Sequence, residues 1–127
     1  VENADTSITE ACKQTGAKIK EYTAAPIYMD ESGKGGHEWI MEFETPPDNL
    51  ERFARVLDEK LKEVNSDYDA KRYKDMALLP PVIHLAPRGT FYQWMRERGQ
   101  LGGQHKVPRL SNERVYVDGI LKLIKKE

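Results

Sequence analysis

The sequence holds a single cysteine, Cys12, among its 127 residues. No disulfide can therefore close within the chain, and a reducing, cytoplasmic setting is the simplest expectation. No apolar run approaches the roughly 20 residues needed to span a bilayer, and no signal-peptide pattern opens the sequence, so no membrane partner is expected. An excess of charge of one sign is missing too. Lys and Arg number 20 and Asp and Glu 21, for a net charge of −1, so bulk attraction to nucleic acid or an anionic surface is not implied. The three histidines, His37, His84 and His105, lie far apart and share no metal-ligand spacing. There is no GxSxG, no HExxH and no paired-cysteine metal motif. Gly33-Lys34-Gly35-Gly36 lacks the GxxxxGK[ST] spacing of a phosphate loop and reads as a hairpin connection.

What the chain has is a charged surface around enough apolar residues for one domain: 39% hydrophobic and 32% charged over a length that can bury its own core. It begins on Val1, almost directly in a helix signal, and the expectation is a piece of a longer protein. Ser7-Ile8-Thr9-Glu10 fits a capping box, with Ile8, Ala11 and Cys12 on the buried stripe and Gly16 just past the helix end. Cys12 then reads as a packed, inert thiol. Residues 17–29 read as an extended segment, with Pro26 marking an edge strand or a bulge. Residues 37–45 alternate strictly. Trp39, Met41 and Phe43 fall on one face, and Glu38, Glu42 and Glu44 on the other, which is expected to be solvated. Asp48 and Glu51 can open a helix whose Leu50, Phe53, Ala54, Leu57, Leu61 and Val64 form one apolar stripe. The polar piece from Tyr68 to Lys74 reads as a surface segment. Residues 82–86, apolar on both faces, read as a central strand with His84 a satisfied core histidine. A last helix, capped at Ser111 or Asn112, carries Val117, Ile120, Leu121 and Ile124 inward. The order predicts an α+β fold, a small mixed β-sheet packed with α-helices as a two-layer or three-layer sandwich.

The most distinctive stretch is Gly89 to Arg109, GTFYQWMRERGQLGGQHKVPR. Thr90 and Gln93 fit a capping box, Phe91, Trp94 and Met95 point inward at helical spacing, and Gly99 stops the helix. Gly102-Gly103 permit close backbone approach before Gln104-His105-Lys106-Val107-Pro108-Arg109. Lys106 stands in the one context suited to meeting an anion: a compact charge on a long stem, two residues before a stiffening proline. An ordinary surface lysine is the competing reading of the residues alone.

This segment resembles the C-terminal signature of the auxin-responsive Gretchen Hagen family of acyl-acid amido synthetases. The shared features are a GTF helix start, a glycine-bearing loop and a Gln-aromatic-Lys-x-Pro-Arg block, here Gln104 to Arg109. His105 stands where plant members usually carry tyrosine, a departure that points to a bacterial-type member. Gly36-His37-Glu38, the run from Leu61 to Tyr68 and the approach to Tyr22-Thr23 are similar as well. The resemblance implies that residues 1–127 are the small C-terminal lid domain of a larger cytoplasmic, adenylate-forming ligase. The N-terminal adenylation domain, absent here, would be its partner and would hold most of the ATP and Mg2+ contacts. Such an enzyme activates a carboxylic acid with ATP and passes the acyl group to an amine or amino acid. The resemblance assigns Lys106 to the nucleotide phosphates as the catalytic lysine. It makes Gln104, His105 and Arg109 candidates for nucleotide binding or for positioning the loop. The piece alone is then expected to be inactive. Two rival readings stand beside it. One is a non-catalytic small-ligand or protein-interaction domain. The other is a weak nucleic-acid module built on Arg96, Arg98, His105, Lys106, Arg109 and Arg114 with Tyr92 and Trp94.

Overall fold

The computed structural model describes residues 2–29, 31, 33–75, 77–98, 107, 109–110 and 113–125. Helix α1 (Glu2–Thr15) leads into strand β1 (Lys18–Ile27), and a hairpin returns along β2 (Gly36–Thr45). Helix α2 (Leu50–Val64), the short helix α3 (Ser66–Arg72) and a 3₁₀ turn (Tyr73–Asp75) precede β3 (Val82–Ala86). Helices α4 (Thr90–Glu97) and α5 (Val115–Lys125) complete the described elements. The strands form one mixed sheet in the order β1-β2-β3. β1 and β2 pair antiparallel with Pro26 opposite His37, while β2 and β3 run parallel with Ile40 opposite His84. Pro26 sits on an edge strand, where a missing amide costs no ladder bond.

The sheet is the middle of three layers. On one face α1 and α2 bury Ile8, Ala11, Phe53 and Leu57 against Tyr22, Trp39, Met41 and Phe43. Phe43 and Phe53 meet edge to face, with ring centroids 5.3 Å apart. The inward side chains of α2 recur every fourth residue, Phe53, Leu57 and Leu61, and each contributes about 1.5–3 kcal/mol before chain entropy is subtracted. Gly16 closes α1 at φ +70°, with the Ala17 amide donating to the Cys12 carbonyl at 3.1 Å.

The other face is covered as well, which overturns the expectation of a wet glutamate face on β2. Phe91, Trp94 and Met95 of α4 and Val117 and Ile120 of α5 pack onto Ala25, Ile40 and Ala86. Ile40 is fully buried and Glu42 only 1% exposed. Of the three glutamates Glu44 alone remains exposed, paired with Lys18 at 3.1 Å. β3 is the second edge strand rather than a central one. Val82 is 42% and Leu85 46% exposed, because its apolar residues meet helices on neither flank as fully as those of β2 do.

Local starts differ from the reading of the sequence in a consistent way. α1 begins before the Ser7 signal, leaving Ser7 buried inside the helix. Asn49, not Asp48, caps α2, its side chain accepting from the Arg52 amide at 2.9 Å, while Asp48 pairs with the Arg52 guanidinium. The Tyr68 to Lys74 piece is not a surface segment throughout. Arg72 is 6% exposed and grips the Asp58 carboxylate of α2 with Nε and Nη2 at 2.8 and 2.6 Å. The Tyr68 hydroxyl donates to the same carboxylate at 2.6 Å. Burial alone would raise the Asp58 pKa, but the bonds from Arg72 and Tyr68 and the charges of Arg72 and Lys62 outweigh it and lower it.

Candidate functional site

The stretch from Gly89 to Arg109 is held at both ends by the sheet. At its start Gly89 adopts φ +90°, and no side chain of the helix itself caps α4. The expected Thr90–Gln93 box does not form. Instead the Thr90 hydroxyl donates to the Pro87 carbonyl at 2.6 Å, and the cap comes from the sheet. The Glu42 carboxylate accepts from the Gly89 amide at 3.1 Å and from the Phe91 amide at 3.0 Å. A carboxylate there meets free donors and the positive end of the helix together. Lys20, 3.7 Å from Glu42, adds a compensating charge from β1. α4 ends at Glu97, and its C-cap residue Arg98 holds its guanidinium 4.7 Å from the Trp94 ring centroid.

Gln104, His105 and Lys106 lie outside the described residues, as do Gly99 to Gly103 and Pro108. Val107 packs against the α4–α5 layer. At Arg109 the chain is tied to the free edge of β1. The Ala24 amide donates to the Arg109 carbonyl at 2.9 Å, and Ala24 and Leu110 form a parallel bridge. The Arg109 side chain turns back to α1, where Nη1 meets both Asp5 oxygens at 3.2 Å. Its guanidinium also lies 5.3 Å from the centroid of the Tyr22 ring. The Tyr22 hydroxyl donates a short hydrogen bond to the same Asp5 carboxylate, and burial together with Asp5 pushes its pKa up. Asp5, Tyr22 and Arg109 thus bring α1, β1 and the basic segment to one point. Asp5 carried no signal in the sequence, being one acidic residue on a polar helix turn.

A second knot holds the entry to α5. Arg114 donates to the Pro26 carbonyl at 2.8 Å, to Glu38 on β2 and to Asp118 at 2.9 Å. Glu38 also meets His84 Nε2 on β3 at 2.6 Å. Burial would raise the Glu38 pKa, but Arg114 and His84 lower it on balance. His84 is therefore satisfied, though half-exposed at the edge rather than in the core. Glu38 and Glu42 thus act as internal braces rather than as a solvated face. Trp94, buried under α5, does not offer a free ring face, whereas Tyr92 is exposed. Among the described residues no group of three or more His, Cys, Asp or Glu side chains could hold a metal ion.

The sequence matches the family described as the GH3 family C-terminal domain over residues 2–115. The chain belongs to the GH3 C-terminal domain family. This GH3 C-terminal domain is 32% identical over 117 residues to an indole-3-acetic acid-amido synthetase, GH3.3, of Arabidopsis thaliana, covering 86% of the chain and 18% of that protein. Its fold is that of a solved GH3.15 acyl acid amido synthetase, with a TM-score of 0.71 at 19% identity over 99% of the chain and 23% of that structure. A structure of AtGH3.15 in complex with 2,4-DB gives a TM-score of 0.70 at 17% identity, over 95% of the chain and 23% of that structure. The GH3 C-terminal domain described here thus spans about a fifth of the length of the relatives it matches.

Proposed function

We propose that this domain is the mobile C-terminal lid of an ATP-dependent, adenylate-forming acyl acid amido synthetase. Membership of the GH3 C-terminal domain family over residues 2–115 carries the reading, and the amido synthetase named among its relatives supports it. The partner is an N-terminal domain of the same protein, and the substrates are a carboxylic acid, ATP and an amine or amino acid. In the first half-reaction a carboxylate oxygen attacks the α-phosphorus and pyrophosphate leaves. In the second the amine nitrogen attacks the acyl carbon and AMP leaves.

The role of Lys106 is electrostatic, stabilising the charge that develops at the α-phosphate. Gln104 and His105 flank it as nucleotide contacts. Arg109, whose charge is matched by Asp5, positions the segment by anchoring its C-terminal side to β1. Glu42 does the same for the N-terminal side by fixing the start of α4. Closing the domain over its partner would keep water from an activated acyl group.

The test is ATP–pyrophosphate exchange by the full-length enzyme across a panel of carboxylic acids, with Lys106→Ala beside the native protein. One acid should support exchange, and the substitution should cut it about 10²-fold or more, the scale of a lost transition-state contact. Robust exchange untouched by the substitution would remove Lys106 from the mechanism. The domain alone should show no turnover.

A further inference from the structure

The chain ahead of β3 is stitched to the tip of the β1–β2 hairpin. The Gly35 amide donates to the Ala77 carbonyl at 3.0 Å, and the Leu79 amide donates to the Gly35 carbonyl at 2.9 Å. A Cβ on Gly35 would lie 2.9 Å from the Ile27 carbonyl oxygen and 3.6 Å from Met29 Cγ, and one on Gly36 3.8 Å from Ile27 Cδ1. Ile27 and Met29 therefore lie against the bare backbone of two glycines, next to Leu79. These side chains meet water rather than a core. Tyr28 is 65% and Met29 70% exposed, and Ile27, Leu79 and Leu110 are each more than a third exposed. Clustered exposed apolar side chains mark a surface that another body covers, and tyrosine and methionine are enriched at such surfaces.

The patch borders a cavity of about 570 Å³ between α1, the corner of α2 and α3, and the hairpin. Ile27, Tyr28, Met29 and Leu110 belong to both. The cavity offers little to a charged guest. Lys71 pairs with Asp67 at 3.1 Å, the Tyr68 hydroxyl donates to Asp58 at 2.6 Å, and burial and Lys71 lower the His37 pKa, leaving its ring neutral at pH 7. What covers this surface follows from the path of the chain. Asn3 and Ala4, in the first turn of α1, form part of the cavity wall. A domain that precedes α1 in the same protein is therefore delivered beside the cavity at high effective concentration. The proposed function places an N-terminal domain there, and the chain spans about a fifth of the length of its relatives.

We propose that the hairpin patch and the adjoining cavity are the docking surface for the N-terminal domain of the same protein, which covers Met29 and sets an apolar side chain into the cavity. The identity of the partner rests on the ligase reading; the exposed surface does not.

The test uses the full-length protein with a photoreactive side chain, Met29→p-benzoylphenylalanine, and Glu51→p-benzoylphenylalanine as the comparison. Both positions are exposed, so neither change disturbs the core. After illumination, mass spectrometry should find position 29 joined to the N-terminal domain within one molecule. The yield should exceed that from position 51 about tenfold or more, since Glu51 lies about 15 Å along α2 from Leu61 of the cavity wall. Products confined to residues 1–127, products joining two copies of the protein, equal yields from the two positions, or no product would each overturn the proposal. Pyrophosphate exchange by the native protein separates this from the ligase reading. Exchange without the crosslink removes the docking surface alone. The crosslink without exchange keeps the surface and removes the ligase reading.

Discussion

Replacing Asp58 by alanine should be among the most damaging single changes in the domain. The Asp58 carboxylate accepts from Arg72 Nε and Nη2 and from the Tyr68 hydroxyl, at 2.8, 2.6 and 2.6 Å, and all three residues are buried. Its removal takes the Asp58 carboxylate away from a buried guanidinium and a buried hydroxyl. Breaking one side of such a pair costs about 3–5 kcal/mol, a large share of the roughly 5–15 kcal/mol that keeps a domain folded. At a urea slope of about 1.5 kcal/mol per molar, the unfolding midpoint should fall by about 2–3 M. Changing all three partners together, Asp58→Leu with Tyr68→Phe and Arg72→Met, removes the orphaned groups and should restore most of the loss. Part should remain, because Arg72 Nη1 also holds the Leu78 carbonyl at 3.1 Å. The pH dependence follows from the sign of the shift. The Asp58 pKa is lowered in the fold, so its stabilisation is complete above the unfolded carboxylate value of about 3.9. It is lost as pH falls through the lower folded value. Asp58→Asn should flatten the acid limb of a stability–pH curve. A loss below about 1 kcal/mol for Asp58→Ala, or a triple variant as damaged as the single one, would refute this account.

Glu42→Ala leaves the buried Phe91 amide and the half-buried Gly89 amide without an acceptor. At about 1–3 kcal/mol per orphaned group it should lower stability by about 2–4 kcal/mol, with faster hydrogen exchange at those two amides as the specific sign. Gly119→Ala should destabilise by about 1–2 kcal/mol in thermal melts despite better helix propensity, because an added Cβ would lie 2.8 Å from Trp94 Nε1; a more stable variant would show that the indole moves aside easily. Cys12, whose thiol pKa burial raises despite a backbone hydrogen bond at Ile19, should react with iodoacetamide at pH 7.5 at least about tenfold more slowly than free cysteine, and at the ordinary rate in urea.

The pattern of apolar residues was enough to find the elements and one face of the sheet. Trp39, Met41 and Phe43 alternate, Phe53, Leu57 and Leu61 recur helically, and these faces meet as expected. What alternation hid was the second layer. Glu42 reads as solvent-facing because a carboxylate usually is, and its partners are all distant in sequence: the start of α4, 47 residues on, and Lys20 on the neighbouring strand. The same long range hides Asp58 from Arg72 and Asp5 from Arg109, which are 14 and 104 residues apart. β3 misleads in the opposite sense, since a short apolar run does not reveal whether strands lie on both its sides. The family resemblance rested on a local signature and was therefore legible early. Arg109 is described and tied to the sheet, while Lys106, Gln104 and His105 lie outside the described residues.

The bridge between Ala24 and Leu110 has a geometric consequence for any partner domain. It pins the chain at Arg109, three residues after Lys106, with Val107 between them packed against the α4–α5 layer, whereas Arg98, the nearest described residue on the other side, is eight residues before it. Three residues span at most about 11 Å of backbone. Whatever path the intervening chain takes, the Lys106 Cα is leashed within that radius of the Arg109 Cα, and its ammonium reaches beyond only by the length of one side chain. On the role proposed for Lys106, the nucleotide phosphates it meets lie within that reach of Arg109, which is tied to the outer edge of β1.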